Sequence, residues 1–75
     1  MTITELTNAI FNASGLNNAQ IANRISLNQT KTVSRQAISN YRNGYQFLRF
    51  ERLMEIADVL DVEVNFSVSK IETII

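Results

Sequence analysis

The sequence predicts one mostly α domain spanning residues 1–75, with four short helices followed by a C-terminal β-strand segment at 62–75. Two patterns predict this fold class. Apolar residues first recur every three or four positions, as on one face of a helix, and after Val62 they alternate with polar residues, as in a half-buried strand. The length of 75 residues is close to the minimum for one hydrophobic core.

The composition excludes several classes of protein. The chain has no cysteine and no histidine, which rules out disulfides, thiolate nucleophiles, imidazole bases and zinc sites. No apolar run reaches the length of a membrane span, and the N-terminus lacks the basic and apolar blocks of a signal peptide. We therefore expect a cytoplasmic protein that does not contact a membrane.

The first two helices are predicted from spacing and from capping residues. A periodic apolar pattern predicts helix one from about Thr4 to Ala13, and Ser14-Gly15 would end it. Asn17 can cap helix two and Gln20 can complete a capping box. This helix should run to about Ile25, with a buried face of Ile21, Ala22 and Ile25.

The third helix carries a polar face without any acid. Ser34 is a suitable N-cap, Val33 and Ile38 have the spacing of a hydrophobic staple, and Gly44 suits the left-handed residue that closes a helix. Ile38 and Tyr41 form its apolar stripe. The opposite side holds Arg35, Gln36, Ser39, Asn40 and Asn43. These side-chain types reach base edges and phosphates in the DNA major groove, although a polar face that is merely solvated is the alternative.

Charge is unevenly distributed along a chain whose net charge is zero. Zero net charge alone argues against nucleic-acid binding. However, the charged residues between Leu6 and Phe50 are all basic, namely Arg24, Lys31, Arg35, Arg42 and Arg49. From Glu51 onward most are acidic, namely Glu51, Glu55, Asp58, Asp61, Glu63 and Glu72. Such a chain can turn a basic face towards phosphates, although chance can produce the same split in a short sequence.

Two motifs together resemble a known family. They are Asn18-x-x-Ile21-Ala22-x-x-Ile25 and Val33-Ser34-Arg35-Gln36-Ala37-Ile38-Ser39-x-Tyr41-x-Asn43-Gly44. This pattern resembles the helix-turn-helix of phage Cro proteins and repressors, within the xenobiotic-response-element family of bacterial regulators. The resemblance extends from helix one to about Val62. It implies a small four-helix DNA-binding domain that acts as a transcriptional repressor in the bacterial cytoplasm, in some cases encoded by a phage or prophage.

The resemblance and the side-chain chemistry together predict site residues. A Cro-like protein would bind double-stranded DNA as a homodimer, at a short operator with two related half-sites. Arg35 suits guanine and Gln36 suits adenine. The predicted base contacts are Arg35, Gln36, Ser39, Asn40 and Asn43. The predicted phosphate contacts are Asn18, which matches a phosphate-clamping position of the family, and Lys31, Ser34, Arg42 and Arg49.

The turn between helices two and three departs from the family pattern. Family members place Val-Ser where this chain has Leu27-Asn28. Starting helix three there would bury Thr32 and Arg35, and an unpaired buried Arg is costly. We therefore keep the start at Ser34 and infer a turn lengthened by residues 27–32. The extension is either a neutral insertion or a contact to the DNA backbone through Lys31 and the threonine hydroxyls.

The rest of the chain is predicted to complete the core and the dimer. The segment from Tyr45 to Leu48 reads as a satellite of the core, and in the family it also lies near the phosphate backbone. A fourth helix should run from about Phe50 to Leu60, with Phe50, Leu53, Ile56, Ala57 and Leu60 on its buried face. The strand that follows would pair within the chain or across a dimer. The predicted interface residues are Val64, Phe66, Val68, Ile71 and Ile74.

The sequence favours no enzyme. Asp58 and Asp61 lie three residues apart, and Glu51 and Glu55 lie four residues apart. These spacings could indicate paired catalytic carboxylates or a magnesium site, but a solvated acidic helix face explains them more simply. We expect no cofactor and no metal. The alternative function is a protein-binding regulator, such as an antirepressor or antitoxin on the same scaffold, that would use the acidic half of the chain.

Overall fold

The computed structural model describes residues 2–28 and 32–65, and the helices lie where the sequence predicts them. Within these residues the fold is α1 (Ile3–Ala13), α2 (Asn18–Leu27), α3 (Arg35–Asn43) and α4 (Phe50–Val59). The mostly helical class is therefore confirmed. No strand occurs in the described part of the chain, and residues 62–65 have no regular secondary structure. Most of the predicted C-terminal strand, residues 66–75, lies outside the described residues and stays a prediction.

Side-chain caps explain where the first two helices begin. Asn17 Oδ1 accepts from the Gln20 backbone N–H at 2.8 Å and Gln20 Oε1 accepts from the Asn17 N–H at 2.9 Å, so the predicted capping box is confirmed. A second capping box joins Thr2 and Glu5, which starts α1 one residue earlier than predicted. α2 ends at Leu27, two residues beyond the predicted end, because no strong stop signal follows Ile25.

The core lies where the apolar faces of the four helices meet. α2 packs closely on α3, and α1 and α4 cover this pair. Its buried apolar residues are Ile10, Phe11, Ile21, Ala22, Ile25, Ile38, Leu48, Leu53, Ile56, Ala57 and Leu60. The placement of Phe50 on the buried face of helix four was wrong, because 47% of this residue is exposed. It is the first residue of α4, and helical side chains tilt towards the N-terminus, which carries this ring beyond the core.

The start of α3 confirms the predicted register. Ser34 Oγ accepts from the Ala37 backbone N–H at 3.1 Å, and Ile38 is fully buried. Leu27, the alternative start, is 76% exposed. Ser26 Oγ accepts from the Val33 N–H at 2.8 Å and donates to the Val33 carbonyl at 3.2 Å. This Ser26–Val33 clamp joins the end of α2 directly to the residue that precedes the cap of α3.

Three helices end at residues with left-handed backbone conformation. Gly15, at the predicted end of α1, has φ of 72°. Gly44 has φ of 78° and closes α3, as predicted. Asp61 has φ of 60°, and no pattern in the sequence predicted this conformation. The Val62 N–H donates to the Ala57 carbonyl at 2.8 Å and the Asp61 N–H donates to the Asp58 carbonyl at 3.1 Å. These two bonds form a Schellman motif after α4 that is built without glycine.

Candidate nucleic-acid interface

The polar side of α3 faces solvent along its whole length. Arg35, Gln36 and Asn43 are exposed, whereas Ser39 and Asn40 are half-buried. Gln36 Nε2 donates to Asn40 Oδ1 at 3.1 Å, and Asn43 Nδ2 donates to Ser39 Oγ at 3.3 Å. These bonds between neighbouring turns hold amide groups in line on one side of the helix. All five predicted base-contact residues therefore share one accessible face that contains no acid.

A shallow depression joins the start of α3 to the start of α2. It is lined by Asn17, Asn18, Ala19 and Arg35. The first backbone N–H groups of a helix lack helical partners, and the helix dipole makes this end electropositive. The Arg35 guanidinium adds a positive charge beside it. The Ser34 hydroxyl, a predicted phosphate contact, is used by the structure as the N-cap of α3.

Arg42 is held by three asparagine side chains from two other helices. Its Nε donates to Asn18 Oδ1 at 2.7 Å, and one terminal nitrogen donates to Asn12 Oδ1 at 2.9 Å and to Asn8 Oδ1 at 3.2 Å. The guanidinium carbon lies 5.2 Å from the centroid of the Phe11 ring, within the range of a cation–π contact. We call this group, Arg42 with Asn8, Phe11, Asn12 and Asn18, the Arg42 pin.

The Arg42 pin fixes α3 against α1 and α2. Asn8 also donates from Nδ2 to the Arg42 carbonyl at 2.8 Å, so one amide binds both the side chain and the backbone at the end of α3. Partial burial lowers the pKa of the Arg42 guanidinium from its ordinary value. Among the described residues, the partners of this guanidinium are neutral amides and an aromatic ring, so no acid in that part of the chain neutralises its charge.

Asn18 both binds Arg42 and begins α2. Its Oδ1 atom accepts from Arg42, which orients the side-chain amide and turns its NH₂ group away from that bond. Asn18 is also the first residue of α2, beside the electropositive helix end. The residue predicted to clamp phosphate therefore also orients the guanidinium of Arg42.

The segment after α3 adds two exposed aromatic rings beside this face. Tyr45 is 78% exposed and Phe47 is 68% exposed, whereas Leu48 is buried. The interpretation of this segment as a satellite of the core therefore holds for Leu48 alone. Asn40 Nδ2 donates to Gln46 Oε1 at 3.4 Å, which ties the segment to the polar side of α3.

Comparison with family models, curated proteins and solved structures returned no match. The resemblance to Cro proteins consequently depends on the motif residues of this chain alone. Within the described residues, no helix combines the length and the apolar character that crossing a membrane requires. In the same part of the chain no cluster of three or more carboxylates is placed to hold a metal ion.

The remaining predicted residues are only partly described. Arg49 is exposed and is the N-cap residue of α4, without a side-chain capping bond. Val64 is half-buried and packs against the core. Lys31 and four predicted interface residues, Phe66, Val68, Ile71 and Ile74, lie outside the described residues.

Sequence reasoning missed three polar residues of this region. Asn8 and Asn12 were not singled out, although their spacing of four places them on one face of helix one. Gln46 was treated as part of an apolar segment. A sequence shows that Asn8 and Asn12 share a helix face, but it does not show that this face meets the end of α3.

Proposed function

We propose that this protein binds double-stranded DNA through α3, as a sequence-specific transcriptional repressor of the Cro type. The observation that carries the proposal is the exposed, acid-free polar side of α3, on which Arg35 and Gln36 are free of any bond to the core. Arg can make a bidentate contact to guanine and Gln can make one to adenine. Ser39, Asn40 and Asn43 extend the same face along the helix.

The surroundings of α3 support the proposal electrostatically. Arg35 lies beside the N-terminus of α2, the unneutralised charge of Arg42 lies near its first residue, and Arg49 is exposed. Phosphate groups bind well at helix N-termini flanked by guanidinium groups. The acids that bring the net charge to zero are concentrated from Glu51 onward.

The proposal includes a dimer. One helix of the length of α3 reads only a few base pairs, so a second copy on a related half-site about one helical turn away (about 34 Å) would raise both affinity and specificity. The interface we propose lies in the C-terminal segment from Phe66 to Ile74, since Val64 packs against the core. Occupation of such an operator would repress transcription by excluding polymerase.

Selection of binding sites from random duplex DNA at near-physiological salt tests this function. The expected result is an inverted repeat, which would establish dimeric, sequence-specific binding and give the half-site spacing. If folded protein recovers no preferred sequence, the DNA-binding proposal is wrong.

Two arginine variants then test whether α3 reads the sequence. Arg35→Ala should weaken binding to the selected site by about 1–3 kcal/mol and relax the base preference at one position. Arg52→Ala, on α4 and ion-paired with Glu55, removes the same charge outside the proposed surface and should change affinity much less. Equal losses on all sequences for both variants would contradict a reading role for α3.

A further inference from the structure

A groove with charge opposite to that of α3 runs between α4 and the segment after it. Its volume is about 500 Å³. The floor is apolar, formed by Met54, Ala57, Val62 and Val64, of which Ala57 is buried and the others are half-buried. The rim carries four exposed carboxylates, from Glu51, Glu55, Asp58 and Glu63. We call this the α4 groove.

The rim of the α4 groove has little positive charge to offset it. Glu55 is bonded to Arg52 at 3.4 Å, with both side chains partly exposed to water. For Glu51, Asp58 and Glu63 the structure records no ion pair within residues 2–28 and 32–65. Among the described residues, no lysine or arginine lines the groove, and no residue of α3 does.

We propose that the α4 groove binds a basic amphipathic segment of a partner protein. An apolar side of such a segment would cover the floor, and its Lys or Arg side chains would reach the rim carboxylates. A neutral apolar segment would partly desolvate the carboxylates without pairing them, which is costly. Nucleic acid and acidic segments would be repelled. This binding is additional to the proposed DNA function, because no described residue that we predict to contact DNA lines the groove.

The chain itself offers no better match to the α4 groove. Residues 66–75 contain one lysine and one glutamate, so they bring no excess positive charge for the four carboxylates. In a second copy, the exposed rings of Tyr45 and Phe47 could reach the floor, but the exposed cation next to them in the sequence, Arg49, supplies one charge for the four carboxylates. Charge and apolar character together therefore favour a segment from another protein.

Titration of the 75-residue chain with three synthetic peptides of equal length tests the proposal. One alternates Lys and Leu, one alternates Glu and Leu, and one alternates Lys and Ser. We expect only the Lys/Leu peptide to bind, with amide shifts in NMR spectra centred on Met54, Ala57, Val62 and Val64. Equal binding of the Lys/Ser peptide would show that the groove acts only as an acidic surface, and it would overturn the proposal. Amide shifts centred on other residues, or no binding of the Lys/Leu peptide, would also overturn it.

Matched variants show whether the groove residues themselves bind the peptide. Asp58→Asn should weaken the Lys/Leu complex about threefold, as expected for one partly exposed ion pair. Asp61→Asn removes the same charge from a residue that does not line the groove and should have a smaller effect. Val64→Thr, which keeps the shape but adds a hydroxyl to the floor, should also weaken binding.

A further experiment distinguishes binding of a partner protein from binding of a second copy of this chain in the α4 groove. Sedimentation equilibrium in the presence and absence of the Lys/Leu peptide measures whether binding dissociates an oligomer. If it does, the α4 groove belongs to a second copy of this chain and the proposal is wrong. Affinity for the selected DNA site, measured on Asp58→Asn, provides an independent readout, so failure of this proposal leaves the DNA-binding proposal standing.

Discussion

Replacing Arg42 tests whether the Arg42 pin holds α3 against α1 and α2. Arg42→Ala removes three hydrogen bonds to Asn8, Asn12 and Asn18 and the contact with the Phe11 ring. Hydrogen bonds from charged donors stabilise proteins by about 1.5–3 kcal/mol when buried. Arg42 is only half-buried and Asn12 is exposed, so solvent screening reduces the value to about 0.5 kcal/mol per bond.

The expected loss for Arg42→Ala is then about 2 kcal/mol, including about 0.5 kcal/mol for the cation–π contact. For a domain of this size that loss lowers the melting temperature by about 8–16 °C. Arg42→Lys should lose about half as much, because a lysine ammonium retains the charge but does not span three separated amide oxygens.

Urea and thermal denaturation, followed by circular dichroism, measure these changes without any DNA. Arg35→Ala is the matched control, because Arg35 lies on the same helix, is exposed, and its side chain makes no hydrogen bond within the described residues. Its stability should change by less than about 0.5 kcal/mol. If Arg42→Ala is no less stable than Arg35→Ala, the Arg42 pin does not contribute to folding.

Three further predictions concern the helix ends. Asp61→Gly should stabilise the protein by about 0.5–1 kcal/mol, because glycine adopts the left-handed conformation without strain and the change removes an anion from the C-terminal end of α4. Asp61→Ala should destabilise the protein. Thermal denaturation measures both changes. Ser26→Ala should cost about 1–2 kcal/mol in urea denaturation, because it leaves the Val33 N–H and carbonyl without the Ser26–Val33 clamp. The backbone and side-chain hydrogen bonds with Thr2 lower the pKa of Glu5. The contribution of Glu5 to stability is therefore complete above the ordinary pKa of a glutamate and is lost as pH falls through the lowered pKa. Glu5→Gln should flatten the acid side of a plot of melting temperature against pH.

Each of these predictions has a result that contradicts it. Equal stability of the Gly and Ala variants at position 61 would show that its backbone conformation carries no strain. An unchanged unfolding midpoint for Ser26→Ala would mean that water replaces the clamp at no cost. A pH profile of Glu5→Gln that matches the original protein would exclude a role for the Glu5 carboxylate in acid stability.

The helices were predictable because their signals are local. Helix ends are marked by bonds that span only three or four residues: Asn17 and Gln20 start α2, Ser34 starts α3 and Gly44 closes it. The apolar residues Ile21 and Ile25 within α2 show the helical period directly. The same local chemistry placed Arg35 and Gln36 on an exposed face.

The parts that were missed depend on contacts between distant residues. Asn8 and Arg42 are 34 positions apart, and no spacing rule relates them. Phe50 has the period of a buried residue, but its place at the first position of α4 exposes it. The left-handed backbone of Asp61 follows from how residues 57–62 close α4, although glycine is the residue usually found there.

Because the Arg42 pin contains no ion pair among the described residues, the folding of this protein should depend little on ionic strength. Its hydrogen-bond acceptors are neutral amides, and the ion pair recorded between described residues, Arg52 with Glu55, is a surface pair that contributes little. Added salt screens contacts between opposite charges far more than contacts between a cation and an amide. Folding should therefore respond weakly to salt. If the protein binds DNA as we propose, the slope of DNA affinity against salt concentration would count the phosphate contacts, without a contribution from unfolding.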